Sequence, residues 1–564
     1  MAIGGTWSKQ RWRKSPLDPG TAFARMETGA SIPRSAEMAT MSQVATNSES
    51  GRLVEFLRTP AAYAERPSDV QVVETHISWV FLAGRYAYKL KKPVRFEFLD
   101  FSTPALRRRA CRDEVRLNRR LAPDVYLDVF PVTAASDGTL QLAGSGTKVD
   151  WVVQMRRLPA DRALDRLLRE DRLTPVEAST VARFLAKFYS KLPSESVNPN
   201  EYRAALDHHI RANRAALLQA LPQDAVRIRR IHSAQLRYLH VQYALFDNRV
   251  MAGRIVGGHG DLRPEHIYLE RTPAVIDCIE FSDELRQVDT ADELNFLAME
   301  CDRLGRGDFG QLVLSTYEDI CGDPIPPTLS SFYRSYRACV RAKVTLLQSG
   351  QQAEERQPAL NRLTRQYLDW ADYDAEQLGP PCLLVVFGLM GTGKSTLARK
   401  LAEAFGAEVI STDSIRRSMW GASPTPAHYG EGIYRPETRG QVYDELLRQA
   451  GDLLDKGRSV ILDGTFLARE LRERANELSR RHGALALDVW CDCPRETALA
   501  RVQGRAQTGG SESEARVDLY DAQVREFQPP AANSATVQVN TTADLGRQLQ
   551  IVFDELRETS AGRV

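Results

Sequence analysis

Hydrophobic positions divide the chain into a strand-rich part, a helical part and an alternating part. Between residues 70 and 155, short runs of β-branched and aromatic residues predict strands, with a helix over 104–121 among them. From about 160 to 378 the helical period dominates, apart from short strands within 257–281. The strands predicted in the first part are residues 70–75, 79–82, 86–90, 125–132 and 151–155.

The segment after Gly379-Pro380-Pro381 alternates strands with helices. This alternation is typical of a parallel sheet covered by helices. We therefore expect a separate α/β domain over residues 380–564. Its predicted strands are residues 383–387, 409–411, 460–463, 486–490 and 536–539.

Residues 1–48 have no sustained apolar period and are rich in Gly, Ser, Pro and Thr. Such a composition predicts a disordered tail. A start codon assigned too early is the alternative, with Met26, Met38 or Met41 as the true first residue. In either case this segment has no part in the predicted function.

Composition narrows the class of protein. The 564 residues are 43% hydrophobic and 26% charged, which is ordinary for a globular chain. A net charge of +2 argues against a protein that coats nucleic acid, and no apolar run approaches the roughly 18 residues of a membrane span. Eight scattered cysteines favour a reducing compartment, so we expect a cytoplasmic protein. Cys491 and Cys493 are interpreted as small hydrophobic residues on a buried strand.

A phosphate-binding loop follows the predicted strand 383–387. Residues 388–395, Gly-Leu-Met-Gly-Thr-Gly-Lys-Ser, match the pattern G-x-x-x-x-G-K-[ST] and precede a predicted helix over 396–405. Glycines in such a loop let backbone N–H groups face the phosphates, and the helix N-terminus adds positive potential. We predict that ATP binds here, with Lys394 at the β- and γ-phosphates and Ser395 at Mg²⁺. The residues expected to contact the nucleotide are Gly388, Gly391, Thr392, Gly393, Lys394, Ser395 and Thr396.

A candidate catalytic pair follows the second strand of this domain. Asp413 comes just after residues 409–411, at the carboxyl end of a strand, where sites form in open α/β sheets. Its carboxylate can accept the proton of an attacking hydroxyl, and Arg416 can hold an anionic group nearby. The alternative role for Asp413 is to cap a helix that begins at Ser414, and one residue can do both.

A second carboxylate and three arginines complete the predicted site. Asp463 ends a predicted buried strand. This position is typical of a carboxylate that orients the ligands around Mg²⁺. Arg501 and Arg505 lie on one face of a predicted helix, and Arg516 follows a polar stretch rich in Gly and Ser. These arginines fit a lid that stabilises the transferred phosphoryl group. The alternative is that they are solvated helix charges.

Taken together, these residues resemble the P-loop kinases of the polynucleotide-kinase, zeta-toxin and gluconate-kinase type. The resemblance spans residues 380–564 and implies ATP- and Mg²⁺-dependent transfer of a phosphoryl group to a hydroxyl. Members of that group act on sugars, sugar nucleotides, antibiotics or nucleic-acid ends, so the acceptor stays open.

A second kinase-like pattern lies upstream, in the sequence His259-Gly-Asp261-Leu-Arg-Pro-Glu-His266 followed by Ile276-Asp277. It resembles the catalytic segment of aminoglycoside and choline kinases, which have the protein-kinase-like fold. The resemblance implies that Asp261 orients the acceptor hydroxyl and that Asp277 holds Mg²⁺. At His266 that family has Asn, and imidazole is a poor ligand for Mg²⁺. Two interpretations follow: an active kinase with His266 at the metal, or a degenerate module that binds a ligand and regulates its neighbour.

The same resemblance implies a lysine at the α- and β-phosphates on the strand predicted over 86–90. We take Lys89 for this role, with Glu114 in the helix 104–121 as its partner. Lys91 and Lys92 lie close by in the sequence and are the alternatives.

The order of the two patterns resembles bacterial proteins described as bifunctional aminoglycoside-phosphotransferase-like, ATP-binding proteins of the AAA ATPase family. The resemblance implies an α/β multidomain chain. A bilobal, protein-kinase-like α+β domain would span 50–378, with an N-lobe at about 50–160 and a helical C-lobe at about 161–378. The P-loop domain with its parallel sheet would follow over 380–564.

We expect a small-molecule kinase with ATP and Mg²⁺ as cofactors and a hydroxyl-bearing acceptor, with the C-terminal module as the main catalyst. A nucleic-acid 5′-hydroxyl kinase is one alternative, favoured by Asp413 and Arg416 and disfavoured by the net charge near zero. A regulatory ATP switch with an N-terminal ligand sensor is another, and a toxin-like kinase is a third. No membrane partner is expected, and the sequence gives no oligomeric state.

Overall fold

A computed structural model gives the fold of residues 42–96, 99–349, 357–420, 436–507, 514–531 and 535–561. Side chains are described for these residues except 42–48, 349, 436–437, 505–507, 514–518 and 561. The contacts divide the chain into two units, the first ending at Leu158 and the second beginning at Pro159. The predicted tail before Ser42 lies outside the described residues.

The first unit is an antiparallel sheet with two long helices. The six-stranded sheet has the order β1-β2-β3-β8-β6-β7, and a two-stranded ribbon pairs β4 with β5. Pro104 opens helix α2, and the side chain of Thr103 caps it by accepting from Leu106 N. The elements are α1 (Ser42–Arg58), β1 (Val70–Glu74), β2 (Ser78–Ala83), β3 (Tyr86–Lys91), β4 (Arg95–Phe96), β5 (Leu99–Asp100), α2 (Pro104–Asn118), β6 (Tyr126–Ala134), β7 (Leu140–Leu142) and β8 (Thr147–Arg156).

Two predicted boundaries in this unit were wrong. Helix α1 begins at Ser42, inside the segment expected to be a tail up to residue 48. Helix α2 ends at Asn118 rather than at 121, because Arg120 N and Leu121 N bond to carbonyls three residues back, as in a 3₁₀ turn. The strands expected between residues 70 and 155 are all present.

The second unit begins with a helical region, residues 159–378. Long helices surround two short strand pairs, β9 with β12 and β10 with β11, and these pairs flank residues 258–266. The elements are α3 (Leu164–Arg169), α4 (Pro175–Tyr189), α5 (Pro199–Ala220), α6 (Ala225–Val241), α7 (Tyr243–Met251), β9 (Ile255–Gly257), β10 (Ile267–Tyr268), β11 (Ala274–Val275), β12 (Gln287–Asp289), α8 (Thr290–Arg303), α9 (Gly307–Cys321), α10 (Pro327–Ser349) and α11 (Gln357–Glu376).

The P-loop domain, residues 380–564, forms the rest of this unit. Its five strands are all parallel in the order β14-β15-β13-β16-β17, which confirms the expected α/β sheet. Helices cover both faces and bury two separate apolar clusters. The elements are β13 (Cys382–Phe387), α12 (Lys394–Phe405), β14 (Glu408–Ser411), α13 (Thr412–Trp420), α14 (Pro436–Leu454), β15 (Val460–Asp463), α15 (Arg469–Arg481), β16 (Leu485–Asp492), α16 (Arg495–Gln507), α17 (Glu514–Glu526), β17 (Thr536–Asn540) and α18 (Leu545–Ala561).

The helical region and the P-loop domain share a packed junction. Helix α6 packs on α12 and α18, and Val241 of α6 lies in the same apolar cluster as the inner residues of β13. On α5, Asp207 accepts a hydrogen bond from Arg211 Nε at 2.5 Å and lies 2.9 Å from His240 Nε2. The side chain of Arg211 in turn contacts a backbone carbonyl of α12. The contacts therefore join these two parts of the chain into one unit.

Asp207 is expected to make this junction sensitive to acid. Burial alone would raise the pKa of Asp207, but hydrogen bonds from His240 and Arg211 lower it to about 2. Because this pKa lies below the value of about 3.9 in an unfolded chain, the stabilisation is present above pH 4 and is lost as the pH falls toward 2. We expect Asp207→Asn to lower the free energy of unfolding by about 1–2 kcal/mol at pH 7. The gap to the wild type should close near pH 2.

Urea unfolding midpoints at pH 7 and at low pH check this expectation. Asp369→Asn is the control, because Asp369 pairs with Arg227 while it is 67% exposed. An exposed pair of this kind contributes roughly 0–1 kcal/mol. Equal effects of the two substitutions at pH 7 would contradict the role given to Asp207.

Candidate active site

The phosphate loop, residues 388–395, is enclosed by backbone on two sides. An ideal Cβ on Gly388 would lie 2.3 Å from the carbonyl oxygen of Cys491, and one on Gly391 would lie 2.3 Å from that of Ala498. Gly391 and Gly393 also have φ of +77° and +87°, in the left-handed region that favours glycine. The glycine spacing of the motif therefore follows from the close packing of the loop.

Helix α12 begins directly at the loop lysine. Lys394 is its first residue, two positions before the predicted start, and Gly393 occupies the N-cap position. The Lys394 ammonium donates to the carbonyl of Leu389 at 2.7 Å, so the side chain folds back over the loop. Thr392 Oγ1 donates to the same carbonyl at 2.7 Å. The N-terminal N–H groups of α12 and the lysine thus lie at the same loop, which suits an anion.

Ser395 and Asp463 are neighbours at the end of the phosphate loop. The Asp463 carboxylate is only 7% exposed, and the Ser395 hydroxyl is close enough to affect its pKa. Burial raises the pKa of Asp463, Ser395 and Lys394 partly offset the rise, and the charge of Asp413 adds to it. A hydroxyl and a carboxylate are oxygen ligands of the kind that Mg²⁺ prefers, so these two residues fit the cation that the sequence predicts.

The strand register brings the two predicted carboxylates to one edge of the sheet. In the parallel pairs, Asp463 lies opposite Ser411 of β14 and opposite Val386 of β13. The phosphate loop follows β13 by one residue and Asp413 follows Ser411 by two. All three features therefore meet at the carboxyl ends of adjacent strands, where α/β sheets bind ligands.

One of the two predicted roles of Asp413 was to cap its helix, and this prediction was wrong. Helix α13 begins at Thr412, and Ser411 and Ser414 cap it by exchanging hydrogen bonds between their hydroxyls and backbone N–H groups. The Asp413 side chain is 79% exposed, and its Oδ1 accepts from Arg416 Nη1 at 2.7 Å. The Asp413 carboxylate thus faces solvent at the edge of the sheet, while the Arg416 side chain that holds it is only 16% exposed.

Of the three predicted lid arginines, one has a described position. Arg501 donates to Thr541 Oγ1 at 3.1 Å and to the Thr541 carbonyl at 2.9 Å, and its Nη1 lies beside Gly393. Arg505 and Arg516 belong to α16 and α17, but their side chains lie outside the described residues. Arg501 therefore lies beside the phosphate loop, and the roles of Arg505 and Arg516 stay predictions.

The structure adds residues that the sequence analysis missed. Gln523 of α17 accepts from Met390 N in the loop at 2.9 Å, and Thr541 holds Arg501.

A cavity of about 500 Å³ opens at the ends of β16 and β17. No sequence motif marks these positions, because they reach the loop only through the strand order. The cavity is lined by Asp492, Cys493, Pro494, Gln538 and Asn540.

The two neighbouring cysteines are buried on and just after β16. Cys491 is fully buried in the apolar cluster around α12, and Cys493 packs with Ala498 and Tyr520. Burial raises the pKa of the Cys491 thiol to about 12. Within the described ranges, no cluster of three or more His, Cys, Asp or Glu side chains is arranged to hold a metal ion.

In the helical region, Arg263 holds the carboxylate of Asp261 through both oxygens. Arg263 Nε donates to Oδ1 at 3.0 Å and Nη2 donates to Oδ2 at 2.9 Å, and Arg263 also contacts Glu265. Burial alone would raise the pKa of Asp261, but the charge of Arg263 brings it well below the usual range. The ion pair therefore keeps Asp261 ionised and fixed in orientation.

His266 makes hydrogen bonds with both ring nitrogens. Nδ1 lies 2.8 Å from the carbonyl of Asp261, which can only accept, so Nδ1 carries the proton. Nε2 lies 3.1 Å from Arg263 Nη2, which can only donate, so the Nε2 lone pair is engaged. Asp277 Oδ2 is 3.8 Å from Nε2, and Asp277 adopts a φ of +66°. With its lone pair bound to Arg263, His266 does not fit a Mg²⁺ ligand, while Asp277 stays a prediction for that role.

In the first unit, two lysines share the predicted glutamate. Lys89 Nζ lies 2.8 Å from Glu114 Oε1 and Lys91 Nζ lies 2.6 Å from Oε2. Glu114 and Lys91 are fully buried, whereas the Lys89 side chain is 10% exposed. Lys92 pairs with Glu74 instead. The predicted pair of Lys89 and Glu114 is thus in contact, but Lys91 makes the same contact.

Comparison with known proteins gives the family of the chain. A family model described as an AAA domain matches residues 383–530, which contain the phosphate loop, Asp413 and Asp463. The uncharacterized protein Rv2004c of Mycobacterium tuberculosis is 35% identical over 467 residues, which cover 80% of this chain and 89% of that protein. The chain therefore belongs to the same family as this mycobacterial protein, and its C-terminal domain is a kinase-like P-loop module.

Shorter similarities concern kinases with established names. Shikimate kinase of Xanthomonas euvesicatoria is 36% identical over 89 residues, which are 15% of this chain and 48% of that enzyme. The crystal structure of a putative kinase from Chloroflexus aurantiacus is 21% identical, covers 31% of this chain and 97% of that one, and superposes with a TM-score of 0.26. The assignment of the domain rests on the loop, the strand order and the family match.

Among the described helices, none is both long and apolar enough to cross a membrane.

The enclosure of the loop predicts that Gly391 tolerates no side chain. In Gly391→Ala, the new Cβ would meet the Ala498 carbonyl at 2.3 Å in a backbone conformation that costs about 1–3 kcal/mol for a non-glycine residue. We expect affinity for a non-hydrolysable ATP analogue to fall by about tenfold or more, measured by calorimetry.

Gly504→Ala is the matched control for this substitution. Gly504 lies in the neighbouring helix α16, and no atom of the described residues lies within 4 Å of its ideal Cβ. Alanine should be tolerated there or stabilise the helix by about 0.5–1 kcal/mol. Unchanged affinity in Gly391→Ala would show that the loop is looser than described.

Proposed function

We propose that the protein is an ATP- and Mg²⁺-dependent phosphotransferase whose P-loop domain transfers the γ-phosphoryl group to the hydroxyl of a small molecule. One observation carries the proposal. A phosphate loop, the buried carboxylate of Asp463 and the exposed carboxylate of Asp413, which pairs with Arg416, all lie at the carboxyl ends of adjacent strands. A second, solvent-facing acid is what transfer to a hydroxyl requires, since the buried acid serves the metal.

The phosphate loop would hold the nucleotide. Backbone N–H groups of the loop and the Lys394 ammonium would face the anionic phosphates, and the start of α12 would add its positive potential. Ser395 and Asp463 would hold Mg²⁺, which when bound neutralises charge on the β- and γ-phosphates. The cavity at the ends of β16 and β17 is the place we assign to the base and ribose.

Asp413 would accept the proton of the acceptor hydroxyl. The hydroxyl oxygen forms a bond to the γ-phosphorus, the bond from that phosphorus to the β–γ bridging oxygen breaks, and ADP leaves. Arg416 keeps the Asp413 carboxylate oriented through its 2.7 Å contact. Arg501 lies beside the loop, where we assign it, together with Arg505 and Arg516, to the charge that develops on the phosphoryl group.

A small molecule is the acceptor we favour. The chain has similarity to proteins named shikimate kinase, and solved structures named gluconokinase and adenosine phosphosulfate (APS) kinase share its P-loop architecture at low identity. A nucleic-acid acceptor would call for excess positive charge, whereas the net charge is +2.

Substitutions at the loop and at Asp413 should separate binding from chemistry. Lys394→Ala removes the phosphate-binding cation and should abolish acceptor-stimulated ADP release. Asp413→Asn removes only the proton acceptor, so affinity for the ATP analogue should stay within about threefold while kcat falls by roughly 10²–10⁴-fold. ADP release is measured with the full chain over a panel of sugars, nucleosides, aminoglycosides and 5′-hydroxyl oligonucleotides.

Asp452→Asn is the control for Asp413→Asn. Asp452 is likewise an exposed helical aspartate paired with an arginine, Arg448, in the same domain. The Asp452→Asn substitution should leave both kcat and the affinity for the ATP analogue unchanged. An Asp413→Asn enzyme with wild-type kcat for a stimulating acceptor would refute the role of Asp413.

We further propose that residues 50–378 form an aminoglycoside-phosphotransferase-like module that binds a ligand rather than acting as a second kinase. The supporting observation is that Arg263 engages both Asp261 and His266, so the loop satisfies its own charges. Asp277 is the residue we assign to ligand binding in the helical region, and Lys89 and Glu114 stay predictions for nucleotide binding in the first unit.

This second assignment predicts that the P-loop domain accounts for all phosphoryl transfer. Asp261→Asn should retain acceptor-stimulated ADP release within about threefold, and Lys394→Ala should have no residual activity with any member of the panel. Activity that persists in Lys394→Ala and disappears in a double substitution with Asp261→Asn would show instead that both modules are kinases.

A further inference from the structure

The far end of the P-loop helix is held by the helical region. The last carbonyls of a helix have no partner within it and must be satisfied from outside. For α12, Ser233 Oγ of helix α6 donates to the Phe405 carbonyl at 3.0 Å, and Arg211 Nη2 of helix α5 donates to the Glu403 carbonyl at 2.8 Å. Ser233 is 2% exposed, so this bond is sheltered from water. The helix that begins at Lys394 therefore ends on side chains of another part of the chain.

Close packing surrounds these hydrogen bonds. An ideal Cβ on Gly406 would lie 3.4 Å from Leu236 Cδ1, and the Phe405 ring packs on Phe553 of α18 with centroids 5.3 Å apart. The same Phe553 ring contacts His240 of α6 at 5.8 Å. A displacement of α12 along its axis would have to move α6 or break these contacts, because packed interfaces of this kind deform little.

Helix α12 connects this junction to the phosphate loop. Its 12 residues span about 18 Å at 1.5 Å per residue. A nucleotide at the loop would engage its first turn at Lys394 and Ser395, whereas α5 and α6 engage its last turn. Anything that shifts or orders one end acts on the other through a rigid element.

From α6 the contacts continue to the 259–266 loop. Gln235 of α6 donates to Ser335 Oγ of α10 at 2.8 Å. Two residues along α10, Arg337 pairs with Asp292 at 2.6 Å and donates to the carbonyl of Gly260 at 3.3 Å. Gly260 immediately precedes Asp261. A continuous set of buried contacts thus joins the P-loop helix to the predicted ligand-binding loop of the helical region.

We propose that nucleotide binding at the P-loop is coupled, through α12, α6 and α10, to the 259–266 loop, so that each site regulates the other. The inference rests on the proposed binding of ATP at the P-loop. Coupling of binding free energies is reciprocal, so a ligand of the helical region changes ATP affinity by the same factor that ATP changes the affinity for that ligand. The helical region is then the regulator of the kinase and is more than a scaffold.

Hydrogen exchange of the full chain, with and without a non-hydrolysable ATP analogue and Mg²⁺, tests the coupling. We expect exchange to slow by about fivefold or more in residues 225–241 and 258–266, in addition to residues 388–397. Slowing confined to the P-loop domain, with 388–397 protected, would overturn the coupling and leave the proposed function standing. No slowing at 388–397 would overturn the proposed function together with the inference that rests on it.

Two substitutions locate the coupling. Ser233→Ala removes the bond to Phe405. It should reduce the analogue-induced slowing of hydrogen exchange in residues 225–241 by about threefold or more, while the slowing in residues 388–397 is unchanged. Ser315→Ala is the control, since Ser315 Oγ donates to a carbonyl of its own helix, that of Leu312. Equal responses in the two variants would contradict the role of Ser233.

Gln235→Leu tests the next link and serves as the second variant if Ser233→Ala does not fold. It removes the contact with Ser335, whose hydroxyl still donates to the Ala371 carbonyl. We expect slowing to persist in 225–241 and to be lost in 258–266. Slowing of 258–266 that survives the substitution would contradict this route through α10.

Discussion

Strand β13 is the element on which the functional part of the P-loop domain depends. Its six residues are all buried, and it pairs on one side with β15 and on the other with β16. These pairings fix where the strand ends, at Phe387, while α12 must begin at Lys394 to pack on the same sheet. The residues between have to turn in a space bounded by the carbonyls of Cys491 and Ala498. Only a glycine-rich segment fits there, and a loop so shaped presents its N–H groups to an anion.

The same sheet explains the different characters of the two acids. Asp463 ends an inner strand and is buried, so its pKa is raised, and Ser395 and the charge of Lys394 only partly offset the rise. Asp413 follows β14 at the edge of the sheet, where Ser411 has taken over the capping of the helix and the carboxylate faces solvent. One acid suits a metal and the other suits an incoming hydroxyl. The difference arises from strand position and needs no special residue type.

Local patterns predicted what depends on local spacing. The phosphate loop and the parallel strands follow from a short motif and from periodicity, and the contact of Lys89 with Glu114 was implied by the family resemblance. The cap of α13 was ambiguous because Asp, Ser and Thr at 411–414 are all good capping residues, and only the helix start decides among them.

Other features depend on tertiary contacts and leave no local signal. Arg263 holds Asp261 and His266 through side-chain geometry, and Ser233 reaches Phe405 across residues far apart in the sequence. The expected boundary at residue 379 marks a change of architecture, yet Val241 of the helical region lies in the apolar cluster of the P-loop domain. Sequence composition alone does not reveal such shared cores.

The central claim is that the P-loop domain moves a phosphoryl group to an acceptor rather than to water. The most direct test follows the label of γ-³²P-ATP incubated with the full chain and a fractionated pool of small metabolites. The account predicts that label appears in a metabolite fraction with the wild-type protein and that the rate of its appearance falls by roughly 10²-fold or more with Asp413→Asn. If label appears only in inorganic phosphate, whichever metabolite fraction is added, the central claim is contradicted and the protein is an ATPase.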